Sequence, residues 1–411
     1  LVATDWDSAL SGVARAVRKA GAKVGAIAGD LAGVEEMYAL KKLLNGLGSG
    51  HTDCRPAMSG IDPGLDRAAY TFNPTIAGIE KADALLIIGA NPRKEASLVN
   101  ARIRKAWRQN DMPIGLIGDK ADLTYDYQYL GNDLAALKDV ANGTSKFSRA
   151  LKAAKHPIIL VGEGALSHAA HGKQAGRDVM ALAARIAADC GALNEEWNGF
   201  GVLHNAAARV GGLDIGFVPG EGGVCSADQA ALCAKGDIEV MFLLGADEVD
   251  MSAFGDAFVV YIGSHGDAGA HRADAILPAA AYTEKSATYV NTEGRVQMSV
   301  RAVFPPGEAK EDWAIVRALS GHLRKKLPFD SLGELRAHLY EDFPHLARLD
   351  AIKKGDVAAL ASLAGASTGD HDLTFSSPVR DFYLTNPICR ASVVMGECAQ
   401  LAAGASLKAA E

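Results

Sequence analysis

Cysteine is sparse and scattered in this chain of 411 residues. The six cysteines stand at 54, 190, 225, 233, 389 and 398, and none forms a CxxC pair. Cys225/Cys233 and Cys389/Cys398 are too widely spaced for the compact local ligand sets of zinc or iron–sulfur sites. The sequence therefore announces no cluster of its own, and its cysteines read as reduced and structural. HExxH does not occur, which removes the usual metalloprotease signature. No apolar run approaches the ~20 residues that cross a bilayer. With 42 Lys+Arg against 49 Asp+Glu, the net charge is −7, and no Lys/Arg-rich stripe suits nucleic acid. Arg102, Arg104, Lys105 and Arg108 alternate with Val99, Ile103 and Trp107 and read as the solvated face of an amphipathic helix.

What is present is a core-forming composition: 49% hydrophobic, 22% charged, with 44 Gly suited to close helix-on-sheet packing. Short apolar runs bounded by Gly recur in two series. Lys23–Gly29 (KVGAIAG), Ala84–Asn91 (ALLIIGAN) and Pro113–Gly118 (PIGLIG) form the first. Pro157–Gly162 (PIILVG), Val240–Asp247 (VMFLLGAD) and Phe258–Gly263 (FVVYIG) form the second. Such runs suit strands buried on both faces, and helical stretches between them imply right-handed crossovers and parallel pairing. Ala84–Ile88 and Val240–Leu244 are expected as central strands. The expected organisation is α/β: one unit over 1–150, a second over 151–326, and a C-terminal linker and docking tail over 327–411.

The chain opens at Leu1 without Met, a few residues before a helix whose capping-box-like start is Thr4 and Asp7. The expectation is a processed product, the product of a split gene or a cut-down form. After Pro305-Pro306-Gly307 a helix is expected over Glu311–Lys326. Residues 351–377, rich in Ala, Gly, Ser and Asp, read as a linker or loose arm. Phe382, Tyr383 and Leu384 then restore apolar content, which suggests docking onto a partner or back onto the core.

Gly89-Ala90-Asn91-Pro92-Arg93 and Gly245-Ala246-Asp247-Glu248 are strand-end turns, the place where open α/β sheets bind ligands. Gly89 is not part of a GxGxxG. His265, Asp267, His271 and Asp274 match no compact metal site and read as a hydrogen-bonded loop. Tyr282, Thr283, Glu284, Lys285, Asn291, Glu293, Arg295 and Gln297 make a dense polar run. Gly294 is expected to turn it, with Asn291, Glu293 and Arg295 bonding inward and Glu284 as a further member.

The segment Ala273–Gln297 (ADAILPAAAYTEKSATYVNTEGRVQ) resembles the late signature of the molybdopterin-oxidoreductase superfamily, with its Ala-Asp, Leu-Pro, Asn-x-Glu-Gly-Arg and Gln. More narrowly, Asn73–Trp107, Asp122–Gly131, His265–Arg295 and Asp381–Ser392 resemble the 75-kDa iron–sulfur subunit family of respiratory complex I. The resemblance implies two units of the molybdopterin oxidoreductase or formate dehydrogenase type plus a C-terminal extension. The turns at Gly89, Asn91, Gly245 and Asp247 would correspond to places that hold the nucleotide ends of a bis-pterin guanine dinucleotide. Asp119-Lys120 stands where cofactor-binding relatives carry Asp-Pro-Arg, so a group suited to phosphate is missing. The family's Cys-rich amino-terminal half is also missing.

The resemblance thus implies a structural, non-catalytic part of NADH:ubiquinone oxidoreductase, with no cofactor in this chain. Iron–sulfur clusters and FMN would lie in the amino-terminal half and in partner subunits. Partners would be that half, in the same or another polypeptide, and other subunits of the peripheral arm. The location would be the matrix side of the mitochondrial inner membrane or the cytoplasmic face of a bacterial one. Two alternatives stay open. One is an active molybdenum or tungsten oxidoreductase subunit, with Cys54 or Cys190 as faint ligand candidates. The other is a nucleotide-binding module using Asn91 and Asp247.

Overall fold

The computed structural model describes residues 1–56, 60–62, 64–167, 172–369 and 371–409. Twelve strands are seen among them: β1 (Val24–Ala28), β2 (His51–Asp53), β3 (Ala84–Ile88), β4 (Ile114–Ile117), β5 (Gln128–Gly131), β6 (Pro157–Val161), β7 (Phe200–Val202), β8 (Val240–Leu244), β9 (Phe258–Gly263), β10 (Ala275–Pro278), β11 (Thr288–Val290) and β12 (Val296–Met298). Two five-stranded sheets result, ordered β10-β9-β8-β1-β2 and β5-β4-β3-β6-β7. Every pairing within them is parallel. β8 and β3 are the middle strands, and all five residues of each are buried. This is the mixed α/β architecture with parallel sheets that the glycine-bounded apolar runs predict.

The chain does not build the sheets one after the other. β1 pairs with β8, from Val24↔Val240 to Ala28↔Leu244, and β3 pairs with β6, from Ala84↔Pro157 to Ile88↔Val161. The second sheet, residues 84–202, is thus an excursion from the first. A boundary at residue 150 separates β3 from its neighbour β6, so the expected division into 1–150 and 151–326 does not describe these sheets. The reason is physical. An apolar run records burial on both faces but carries no signal for which strand lies alongside.

Side chains alternate across each sheet. Ala84, Leu86 and Ile88 of β3 face a large shared core together with Val240, Phe242 and Leu244 of β8. Leu85 and Ile87 face a separate core under the helix Ser97–Asn110, and Met241 and Leu243 face a third. Phe242 is fully buried in the shared core. Phe242→Ala is expected to destabilise the fold by about 3–5 kcal/mol, the range for emptying a buried aromatic site. Denaturant unfolding checks this, and a loss below ~1 kcal/mol would show that the cavity collapses freely.

The first helix, Trp6–Ala20, is capped by Asp5, whose carboxylate accepts from the Ser8 N–H at 2.8 Å. The cap is therefore Asp5 rather than the expected Thr4. The helix after the double proline spans Asp312–His322. Residues 351–377 are not a loose arm. The helix Val357–Ala364 buries Leu360 and packs on the long helix Gly172–Asp189. Leu373 and Phe375 are also buried. The Phe375 N–H donates to Asn132 O at 2.7 Å, and the Leu134 N–H donates to Leu373 O at 3.1 Å. A few well-placed apolar side chains suffice to order a segment whose average composition reads as linker. No helix among the described residues is long and apolar enough to cross a membrane.

Candidate functional site: the strand ends and the strap across them

Parallel sheets present their carboxyl ends as ligand sites. Here those ends carry both expected turns. After β3, Gly89 has φ +60°, and a Cβ there would lie 2.4 Å from the Ala165 nitrogen. Asn91 is already engaged. Its side chain accepts from the Lys94 N–H at 3.3 Å, capping the short helix Pro92–Glu95, and its own N–H donates to Glu95 Oε1 at 2.7 Å. After β8, Gly245 has φ +59°. The buried Asp247 carboxylate accepts from the Tyr261 hydroxyl at 2.7 Å and the Gly269 N–H at 2.6 Å. Asn91 and Asp247 thus shape their turns with the groups a nucleotide would need.

Residues 373–390 run across both sheet ends as a strap. Over the second sheet, the Ser377 hydroxyl donates to Glu95 Oε1 at 2.6 Å and its N–H donates to Asp119 Oδ2 at 3.2 Å. The fit is tight: a Cβ on Gly164 would lie 1.9 Å from Ser376 O. Over the first sheet, the Arg390 guanidinium pairs with Asp267 and, at 3.2 Å, with Glu248. Pro387 and Ile388 close a cavity of about 50 Å³ lined by Leu31, Glu36, Tyr261 and Lys285. The tail thus docks back onto its own chain. Phe382 stays about half exposed.

The polar run splits in two. Gly294 turns the β11–β12 hairpin with φ +83°. The Arg295 N–H donates to Asn291 Oδ1 at 2.9 Å, and Arg295 Nε donates to Glu293 Oε1 at 2.8 Å. Glu293 Oε2 accepts from the Ile76 N–H at 2.8 Å, tying the hairpin to the loop before β3. Glu284 lies apart from this network and accepts from the Ala281 N–H at 2.9 Å. The Arg295 side chain is 35% exposed while Glu293 is 6% exposed. Arg295→Ala is therefore expected to lower stability by about 1–3 kcal/mol, mainly through the acceptor it leaves underused on Glu293. A variant that melts like the wild type would refute this.

Lys285, unremarkable in sequence, is the most buried cation of the run. Its Nζ donates to Glu36 Oε1 at 2.6 Å and Asp312 Oδ2 at 2.7 Å. Burial alone would lower its pKa, but the two carboxylates hold it above the ordinary lysine value. Burial in turn pushes Asp312 up to about 6. The neighbouring Glu35 accepts from Arg336 Nε at 2.8 Å and from Thr288, locking the hairpin to the helix Val34–Leu47. Most of these partners lie hundreds of residues apart, so no local motif announces them.

The remaining candidates serve the structure. Asp267 pairs with Arg390, and Asp274 accepts from the Val259 N–H at 2.8 Å and pairs with Arg272. Lys120 lies over the Tyr129 ring at 4.6 Å. Cys54 and Cys190 are buried free thiols, pushed by burial up to about 12 and about 11. No group of three or more His, Cys, Asp or Glu among the described residues is placed to hold a metal ion.

Residues 1–322 match the molybdopterin oxidoreductase family. Residues 348–398, which include the strap, match the family of the C-terminal part of the NADH-ubiquinone oxidoreductase G-type subunit. The 78 kDa subunit of mitochondrial NADH-ubiquinone oxidoreductase from Neurospora crassa is 40% identical over 413 residues, covering 96% of this chain and 52% of that protein. The G-type subunit of NADH-quinone oxidoreductase from Rickettsia bellii is 38% identical over 401 residues, covering 97% and 56%. The chain thus spans about half the length of the curated relatives it matches. Among solved structures, the formyltransferase/hydrolase complex of Methylorubrum extorquens aligns with TM-score 0.56 and 16% identity, over 79% of this chain and 97% of that one. Acetylene hydratase from Pelobacter acetylenicus aligns with TM-score 0.53 and 13% identity, over 86% and 64%. At that identity the two structures speak to the fold alone. With the match over residues 1–322 and the interleaved parallel sheets in agreement, the chain belongs to the molybdopterin oxidoreductase family.

Proposed function

We propose that this chain is a non-catalytic scaffold in the peripheral arm of an NADH:quinone oxidoreductase of the complex I type. It would hold the cluster-bearing half of the subunit, and through it the path of electrons from NADH and FMN towards quinone. The observation that carries this reading is the strap: the chain's own residues 373–390 lie across both strand ends. A bis-pterin nucleotide cofactor does not fit these residues. Ser376–Ser377 and Pro387–Ile388 lie over the strand-end turns that the resemblance assigns to its ends, and Glu95, Asp30 and Glu248 would oppose its phosphates. The absence of a resident cofactor is part of the proposal.

A partner surface supports the same reading. Leu1, Val2 and Ile276 are exposed along a groove of about 520 Å³ beside the edge strand β10. Glu308 and Pro278 link it to a second groove that includes Pro306, and exposed Val303 and Phe304 lie just ahead of that proline. Ile276, Val303 and Phe304 give this face apolar groups that a partner could cover. The cluster-bearing half of the longer relatives is its proposed occupant. The setting would be the matrix side of the mitochondrial inner membrane or the cytoplasmic face of a bacterial one.

The test is reconstitution together with elemental analysis. The chain should co-purify with the cluster-bearing half, carry no stoichiometric molybdenum, tungsten or iron itself, and lose the association in Phe304→Glu. Stoichiometric molybdenum or tungsten in the isolated chain would overturn the reading.

A further inference from the structure

The strand ends of the two sheets meet along a seam of carboxyl groups. Asp30 follows β1, Glu248 follows β8, Glu95 lies beyond β3 and Glu163 follows β6. Two guanidiniums enter the seam from other elements. Arg209 Nη2 lies 3.5 Å from Asp30 Oδ1 and 3.6 Å from Glu163 Oε1, while Arg390 faces Glu248 and Asp267. Carboxyl groups therefore outnumber cations, and among them Glu163 is the one water barely reaches, while Asp30, Glu248 and Asp267 stay partly exposed.

Hydrogen bonding within the seam is incomplete on the acceptor side. Glu163 is 4% exposed, and its Oε2 accepts from Asn205 Nδ2 at 2.9 Å. Glu163 Oε1, Glu95 Oε2 and Asn205 Oδ1 are all buried without a hydrogen-bond donor. An ionised carboxylate left short of donors in such a place is costly, because neither water nor protein replaces the lost solvation. Arg209 Nε is a buried donor without an acceptor, but the guanidinium is already shared between Asp30, Glu163 and, at 2.6 Å, Cys54 O. His204 adds no charge, because burial pushes its pKa down to about 4.

We propose that this seam is a proton-binding site in which Glu163 takes up one proton from solvent and keeps it at neutral pH. The carboxylate becomes a carboxylic acid and hydronium becomes water. One acceptor of the three turns into a donor, and Arg209 is left to neutralise Asp30. The groups facing Glu163 act in the required direction. Burial raises its affinity for a proton, Asp30 and Glu95 raise it further, and Arg209 and Asn205 oppose them, with a resulting pKa of about 7. The site is independent of the scaffold assignment and of any cofactor.

A carboxyl group raised from 4.5 to about 7 holds more protons folded than unfolded between those values. Its contribution to stability is therefore present below about pH 4.5 and lost as pH rises through about 7. The decisive variant is Glu163→Gln, which keeps the shape and supplies a permanent donor. Thermal unfolding should show the wild type weakening between about pH 4.5 and 7 more steeply than the variant. At pH 8 the variant should melt higher by roughly 2–4 °C. Parallel pH profiles would overturn the proposal. Infrared spectroscopy of the wild type labelled with ¹³C-carboxyl glutamate gives a second reading that needs no variant. A protonated-carboxyl band at pH 7 that shifts with the label supports the site, and absence of any such band refutes it.

Discussion

Deleting residues 371–411 is expected to lower the melting temperature and to open both strand ends while the two parallel sheets persist. Leu373 and Phe375 are buried, and each contributes roughly 1.5–3 kcal/mol by burial. The deletion also removes the Ser377–Glu95 hydrogen bond and the Arg390 pairs with Glu248 and Asp267. Ordering the strap costs about 1–2 kcal/mol per residue, so the net loss is expected to be a few kcal/mol rather than the gross sum. Against a typical total of about 5–15 kcal/mol, that is a large fraction. Circular dichroism should retain its α/β signature, while thermal unfolding shifts down and amides near Gly89 and Gly164 exchange faster. An unchanged melting temperature would mean that the strap rests on the core without holding it. Phe382, between these anchors, and Val393, after them, are exposed. Loss of assembly on replacing them, with unchanged melting, would separate partner docking from self-docking.

Lys285→Met is expected to be the most destabilising single substitution in the signature segment, by about 3–5 kcal/mol. It removes the cation from between Glu36 and Asp312, and uncompensated buried charge is what makes breaking such a triad costly. The defect should depend on pH. Asp312 already sits above the ordinary carboxyl range at about 6, held up by burial and by Glu36 against the pull of Lys285. Without Lys285 it rises further. The variant should therefore be weakest at neutral and alkaline pH and recover as acid protonates the pair. Urea unfolding at pH 7.5 and pH 5 tests this. An equal loss at both pH values would point to packing rather than charge. Combining Lys285→Met with Glu36→Gln and Asp312→Asn should restore part of the stability at pH 7.5, which a purely steric role for the lysine would not allow.

Local sequence carried the individual strands well. VMFLLGAD and ALLIIGAN could satisfy their apolar side chains only on both faces of a sheet, and both became middle strands. Gly294, too, could be placed, since the hairpin there takes φ +83°. The same reasoning misread residues 351–377. Their Ala, Gly and Ser content resembles linker, yet three apolar residues, Leu360, Leu373 and Phe375, anchor them in the core.

Legible in the chain before any folding is considered are its pieces: short doubly buried strands, crossover helices, glycine turns at the strand ends, and the signature run that marks the family. Each depends on interactions within a few residues, which periodicity and turn chemistry encode directly. How the pieces meet was settled in three dimensions. Folding returned β8 to lie beside β1, drew Lys285 between Glu36 and Asp312, gathered Asp30, Glu163 and Arg209 into one seam, and laid residues 373–390 across the openings. Those contacts join residues far apart in the chain. Their energies come from shared burial and charge neutralisation in a low-dielectric interior, and no local window contains both partners.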